Sequence, residues 1–170
     1  MSPDNQNVEI VEKIVEPMLI AAVKITGPYN ECGKGFKAIG RNFGRYICGS
    51  CFCLQYDAGY RPTDATFETC MPIRHSKEVE GISVRELPGG KCVSIIHKGP
   101  YEELGQSYQK IKDYVKSKGY SCSLPTREIY IKGPGMFFRG NPKKYITEIQ
   151  FMINKIDSSE TQNNSPSKAI

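Results

Sequence analysis

Glu128 stands in the stretch Arg127-Glu128-Ile129-Tyr130, in a half of the chain that also carries tyrosines at 101, 108, 114, 120, 130 and 145. A carboxylate among aromatic rings is chemistry for holding a planar or cationic organic molecule, because ring faces are electron-rich and the carboxylate adds a full charge. Phe137 and Phe138, ahead of the last strand, extend the aromatic set. Two other groups invite a chemical reading. Cys48, Cys51 and Cys53 form one compact thiol cluster, but a structural zinc wants four ligands, and Cys70 and His75 stand at no recognised spacing from it. No metal and no cofactor is therefore expected. His97 has the right chemistry for a base near neutral pH, but no serine or cysteine occupies a nucleophile elbow, so packing is its expected role. The glycine stretches KGPG and GKG are too short to cradle a phosphate.

The elements that must position these residues repeat. Thr26-Gly27-Pro28-Tyr29 returns as Lys98-Gly99-Pro100-Tyr101, 72 residues later from Gly27 to Gly99, and Phe36 and Ile39 fall on Tyr108 and Ile111 at the same offset. Branched and alternating residues predict strands over 8–15, 18–25, 51–56 and 66–73, then 82–87, 91–98, 128–131 and 145–153. Apolar residues at three- and four-residue spacing predict helices over 30–46 and 101–117, the first weakened by Gly33, Gly35, Gly40 and Gly44. Glu16-Pro17 breaks the first two strands into an expected hairpin. The expected fold is α+β: two strand-strand-helix-strand-strand units forming one curved, mainly antiparallel sheet with two helices on one face. Residues 1–7 and 154–170 read as flexible ends around a single domain, 8–153, with repeats 8–80 and 81–153.

The two copies control for one another. Aligning Leu54-Gln55-Tyr56 with Glu128-Ile129-Tyr130 sets a leucine against a glutamate. Burying that charge unpaired would cost several kcal/mol, so a protein cation, a held proton or a cationic ligand must compensate it. The alternative is a solvent-facing Glu128 paired with Arg127, Lys132 or nothing. Glu68 and Glu148 match each other in the fourth strands, which points to a shared structural task or a symmetric pocket wall.

The segments RELPGGKCVSIIHKGPYEELGQSYQKI, PTREIYIKGPG and YITEIQFMI resemble the second half of the GyrI-like domain, and the likeness extends over roughly 8–153. That family is similar to the effector-binding halves of multidrug-sensing transcription regulators. The resemblance implies Glu128 as charge partner of a cationic aromatic ligand, with Tyr130, Tyr145 and Glu148 facing the same pocket and Tyr29 and Tyr101 at its rim. The regulators carry a helix-turn-helix domain ahead of this half; only seven polar residues precede the first strand here, which implies a stand-alone member that sequesters or senses cationic or aromatic compounds. Two alternatives come with the likeness: a hydrolase acting on strained, cyclopropane-bearing DNA-alkylating drugs through Glu128 or Glu148, and a DNA gyrase inhibitor.

Composition narrows the setting. No apolar run approaches the ~18 residues of a membrane span and the first residues lack a signal-peptide layout, so a cytoplasmic protein is expected. Seven cysteines, an odd number without an export signal, argue against a disulfide framework. The net charge is +5, but lysines never run longer than two, so direct nucleic-acid binding is not expected; a protein partner stays open.

Overall fold

A computed structural model of the chain describes residues 9–134 and 140–155. The expected flexible segment 1–7, most of the expected tail, and Phe137 and Phe138 lie outside the described residues. The strands are β1 Ile10–Val15, β2 Met18–Gly27, β3 Phe52–Gln55, β4 Ala65–Pro72, β5 Ser83–Leu87, β6 Gly90–Lys98, β7 Tyr120–Lys132 and β8 Ile146–Lys155. Helix α1, Cys32–Phe43, follows β2, and α2, Leu104–Ser117, follows β6. β8 runs two residues past the expected domain end.

The strands join in one antiparallel sheet in the order β1-β6-β8-β7-β3-β4-β2-β5, curled into a half-barrel with both helices on one face. Exchanging β1–β4 with β5–β8 reverses this order onto itself, so a pseudo-two-fold axis passes between β3 and β7. The expected fold class is the one found.

The expected hairpin at Glu16-Pro17 is not. β1 pairs with β6 and β5 pairs with β2, so each copy gives its first strand to the other. Two-residue hairpin turns need positive φ, which proline cannot adopt, and no described non-glycine residue has it. Val15 and Met18 lie within ~11 Å by chain length alone, yet their strands stand first and seventh in the sheet. The sheet must therefore curl until its ends approach. The matching β5–β6 link runs against this one: a Cβ on Gly89 would fall 2.2 Å from the Val15 carbonyl oxygen.

Each exchanged strand is fastened by an equivalent ion pair. Lys13 of β1 meets Glu148 of β8, and Arg85 of β5 meets Glu68 of β4 at 2.6 Å. Both pairs lie on the helix-free face. Glu148 also accepts from Ser94 at 2.7 Å and Gln150 at 3.0 Å, while Tyr56 donates to Glu68. The glutamate found in both copies thus has a shared structural task.

The helices bury stripes at three- and four-residue spacing, Gly35, Ile39 and Phe43 on α1, and Leu104, Ser107, Ile111 and Val115 on α2. Gly35 explains one of the glycines that weaken α1: a Cβ there would sit 2.0 Å from Thr69 Oγ1, so its absence lets helix and sheet approach. β7 starts eight residues earlier than expected. Its register against β8 shifts between Ser123 and Arg127, and Pro125, which cannot donate to a ladder, falls in that irregularity.

Candidate functional site

Strand alternation decides which side chains can meet. In the β7–β8 register Glu128 lies opposite Ile149 and Tyr130 opposite Thr147. Ile149 packs against α2, so Glu128 and Tyr130 face the helices. Glu148 lies opposite Ile129, one residue out of phase, and faces the other way.

The register also corrects the alignment of the two copies. Cys53 pairs with Thr69 and Glu128 with Ile149. Thr69 and Ile149 are counterparts at the 80-residue offset that relates Glu68 to Glu148. Cys53, not Leu54, is therefore the counterpart of Glu128. Cys53 and Glu128 pair directly across β3 and β7, which puts them on the pseudo-two-fold axis. Leu54 faces the helix-free side among Ile20, Phe52 and Leu87. The contrast between copies survives in a new form: a small buried thiol in one, a carboxylate in the other.

Glu128 is 8% exposed. Tyr108, from α2, donates to Oε2 at 2.5 Å, and Tyr130 donates to Oε1 at 2.9 Å. Cys53 packs with Tyr130 in one buried cluster. No described lysine or arginine forms an ion pair with Glu128. Burial pushes its carboxyl above the ordinary carboxylate range, opposed by the two tyrosine hydrogen bonds and, more weakly, by His97. Burial and the Glu128 charge likewise hold the Tyr108 and Tyr130 phenols well above their usual value, so both stay protonated donors.

Aromatic rings surround this centre. Tyr130 meets Phe36 of α1 edge-on at 6.2 Å and Tyr101 at 5.7 Å, and Tyr101 lies 5.1 Å from Tyr145. Tyr29 rests on Phe67 at 5.5 Å. Its phenol is pushed up mainly by burial, with Asp57 and Glu128 adding to the shift. His97 is buried. Its Nε2 donates to the Pro100 carbonyl, which can only accept, at 3.1 Å, and Nδ1 hydrogen-bonds Ser107 Oγ at 2.8 Å. This ties the corner bearing Tyr101 to α2.

Glu128, Tyr130, Tyr101 and Tyr145 are thus brought together, with Tyr29 on the first-copy side. Glu148 is not: the sheet separates it from Glu128. The sequence reading missed Tyr108 as a carboxylate donor, along with Phe36, Cys53 and Thr147. The repeat held a signal for Tyr108, since it adds a hydroxyl where its counterpart Phe36 has none. Thr147, flanked in register by His97 and Tyr130, buries a hydroxyl with no hydrogen-bond partner. The described cysteines are free, and no group of three potential metal ligands occurs among the described residues. Burial raises the Cys32, Cys51 and Cys53 thiols, so none is a ready thiolate. A cavity of about 680 Å³ opens on the helix-free face, beside Tyr56, Glu68 and Arg85.

A buried carboxylate inside an aromatic cage, on the axis of a two-copy curled sheet, marks a domain built to hold small molecules. Residues 6–154 match the family described as GyrI-like small molecule binding domain, and the chain belongs to that family. No curated protein is a significant sequence match. Among solved structures, the EcmrR C-terminal domain is 25% identical with a TM-score of 0.76, over 88% of this chain and 99% of that one. In an EcmrR–DNA complex the likeness is 24% with a TM-score of 0.75, over 87% of this chain, which there spans 58% of the longer EcmrR chain. A protein solved bound to tetraphenylphosphonium shares the fold at 14% identity and a TM-score of 0.61, over 86% and 94% of the two chains. A Listeria innocua protein named as a hydrolase does so at 12% and 0.65, over 86% and 92%. No described helix is long and apolar enough to cross a membrane.

Proposed function

We propose that this domain binds flat or bulky aromatic cations and so sequesters or senses them. The ligand's charge meets Glu128, and its rings lie among Tyr130, Tyr101, Tyr145 and Tyr29. One observation carries the reading: Glu128 is a buried carboxylate with hydrogen-bond donors but no cation. An organic cation supplies the missing charge in a dry site, where it is worth most. The aromatic walls add cation–π attraction.

The test is calorimetric titration of the native chain and Glu128→Gln with tetraphenylphosphonium. Removing one partner of a buried charge pair costs about 2 kcal/mol or more, roughly a thirtyfold rise in Kd. Equal affinities would remove the ion pair from the account.

Hydrolysis is the second reading, favoured by the raised carboxyl: an acid that holds its proton more tightly than an ordinary carboxyl, next to two tyrosine hydroxyls, has the chemistry of a general acid. Incubation with a strained cyclopropane electrophile separates the readings. Many product molecules per protein by mass spectrometry mean catalysis; one adduct or none means binding alone.

A further inference from the structure

A ligand can reach Glu128 only if a ring moves, because the carboxylate is 8% exposed beneath its tyrosines. The two copies show which ring is held least. In the second copy the corner tyrosine, Tyr101, lies against Tyr145, the residue just ahead of β8, which is 3% exposed. In the first copy the corner tyrosine is Tyr29, and the place of Tyr145 is taken by Ala65: Gly27 pairs with Ala65 as Gly99 hydrogen-bonds Tyr145. Alanine has no ring to offer. Tyr60, from the β3–β4 loop, covers Tyr29 instead, nearly parallel at 23° and 5.7 Å between centroids. Tyr60 is 79% exposed.

The loop presents Tyr60 from a fixed base. Arg61 pairs with Asp64 and reaches Asp57 at 4.0 Å, while the Thr66 amide donates to Asp57 at 2.7 Å. Phe67, fully buried, backs Tyr29 from within. The result is a ladder from an exposed outer ring to a buried inner one, within the cluster that also holds Cys53 and Tyr130.

We propose that the Tyr29 face covered by Tyr60 is the outer subsite of the ligand site, and that an aromatic cation enters on the first-copy side by displacing Tyr60. This rests on the binding reading above. Tyr60 then stands in for the ligand's ring while the site is empty, and it competes with the ligand for Tyr29. Tyr145 cannot play this part, since it is itself buried.

The experiment titrates N-methylacridinium into the native chain, Tyr60→Ala, Tyr60→Phe and Glu128→Gln. Removing the competing ring tightens binding of Tyr60→Ala by roughly two- to tenfold, the range of one aromatic pair, while Tyr60→Phe stays within about twofold of native. Unchanged or weaker binding by Tyr60→Ala overturns the proposal; if Glu128→Gln still weakens binding, the Glu128 reading stands without it. A native chain that does not bind the probe defeats both. Tyr60→Trp gives a second readout, because the chain has no other tryptophan. Saturation with tetraphenylphosphonium shifts its emission to the red as the ring moves into water. Unshifted or blue-shifted emission overturns the displacement.

Discussion

If Glu128 is kept for a ligand, the folded protein is more stable without its charge. Glu128→Gln tests this in the ligand-free chain. Taking a carboxylate out of water with no partner cation costs several kcal/mol. The hydrogen bonds from Tyr108 and Tyr130 offset most of this; a remainder of about 1–2 kcal/mol, in the direction of the raised carboxyl pKa, is the expected burden. Glutamine has the same shape, its carbonyl accepts from one tyrosine and its amide donates to the other, so it removes the burden without opening a cavity. For a domain this size 1 kcal/mol moves Tm by about 2–4 °C, so Glu128→Gln should melt about 3–6 °C above native at neutral pH. The pH dependence has a definite sign. Because burial raises the folded carboxyl above its unfolded value, the native chain is favoured below the unfolded carboxyl range and loses that advantage as pH rises through the folded value. The gap between variant and native should therefore be widest at neutral pH and close near pH 4. Calorimetric melts at both pH values check it. A variant that melts at or below native at neutral pH, or a gap that does not narrow on acidification, refutes the reasoning.

Three further outcomes follow from the same geometry. Arg85→Met strands the buried Glu68 and should destabilise the fold by about 2 kcal/mol in urea unfolding. Lys13→Met should cost about half of that, because Lys13 is the more exposed cation; neither change should alter affinity for tetraphenylphosphonium, since both pairs face away from Glu128. Gly35→Ala drives a methyl into Thr69 and should cost about 1–3 kcal/mol by thermal melting. Tyr108→Phe removes a hydrogen bond that favours the charged carboxylate, so the loss of cation affinity should be larger at pH 6 than at pH 8 by calorimetry.

Much of the architecture is legible from the chain itself. The Gly-Pro-Tyr corners announce the repeat, and the three- and four-residue spacing in α1 and α2 comes from faces that must be buried. Strand partnership is less visible, because Glu16-Pro17 looks like any break between neighbouring strands; only the sheet order reveals that the two copies trade their first strands. The loops explain the misalignment at Glu128. The offset between copies grows from 72 at the corners to 80 in the last strands, and a one-residue error on the way turns Cys53 into Leu54 and reverses the face. Glu148 failed for a related reason: it neighbours the Glu128 strand, but alternation aims it at Lys13. Glu128 stands out in the sequence because a carboxylate there neighbours aromatic residues, and the structure buries it. Its donor Tyr108 was placed on the right helical stripe, yet the partner of a hydroxyl depends on how α2 lies over β7.

The claim that an organic cation completes Glu128 is tested most directly by carbon NMR of glutamate carboxyl-labelled protein, titrated with and without saturating tetraphenylphosphonium. The Glu128 signal should titrate above the ordinary carboxylate range in the free protein and drop below its free value when the cation is bound, with Glu148 unmoved. A Glu128 signal that titrates identically in both samples would contradict the account.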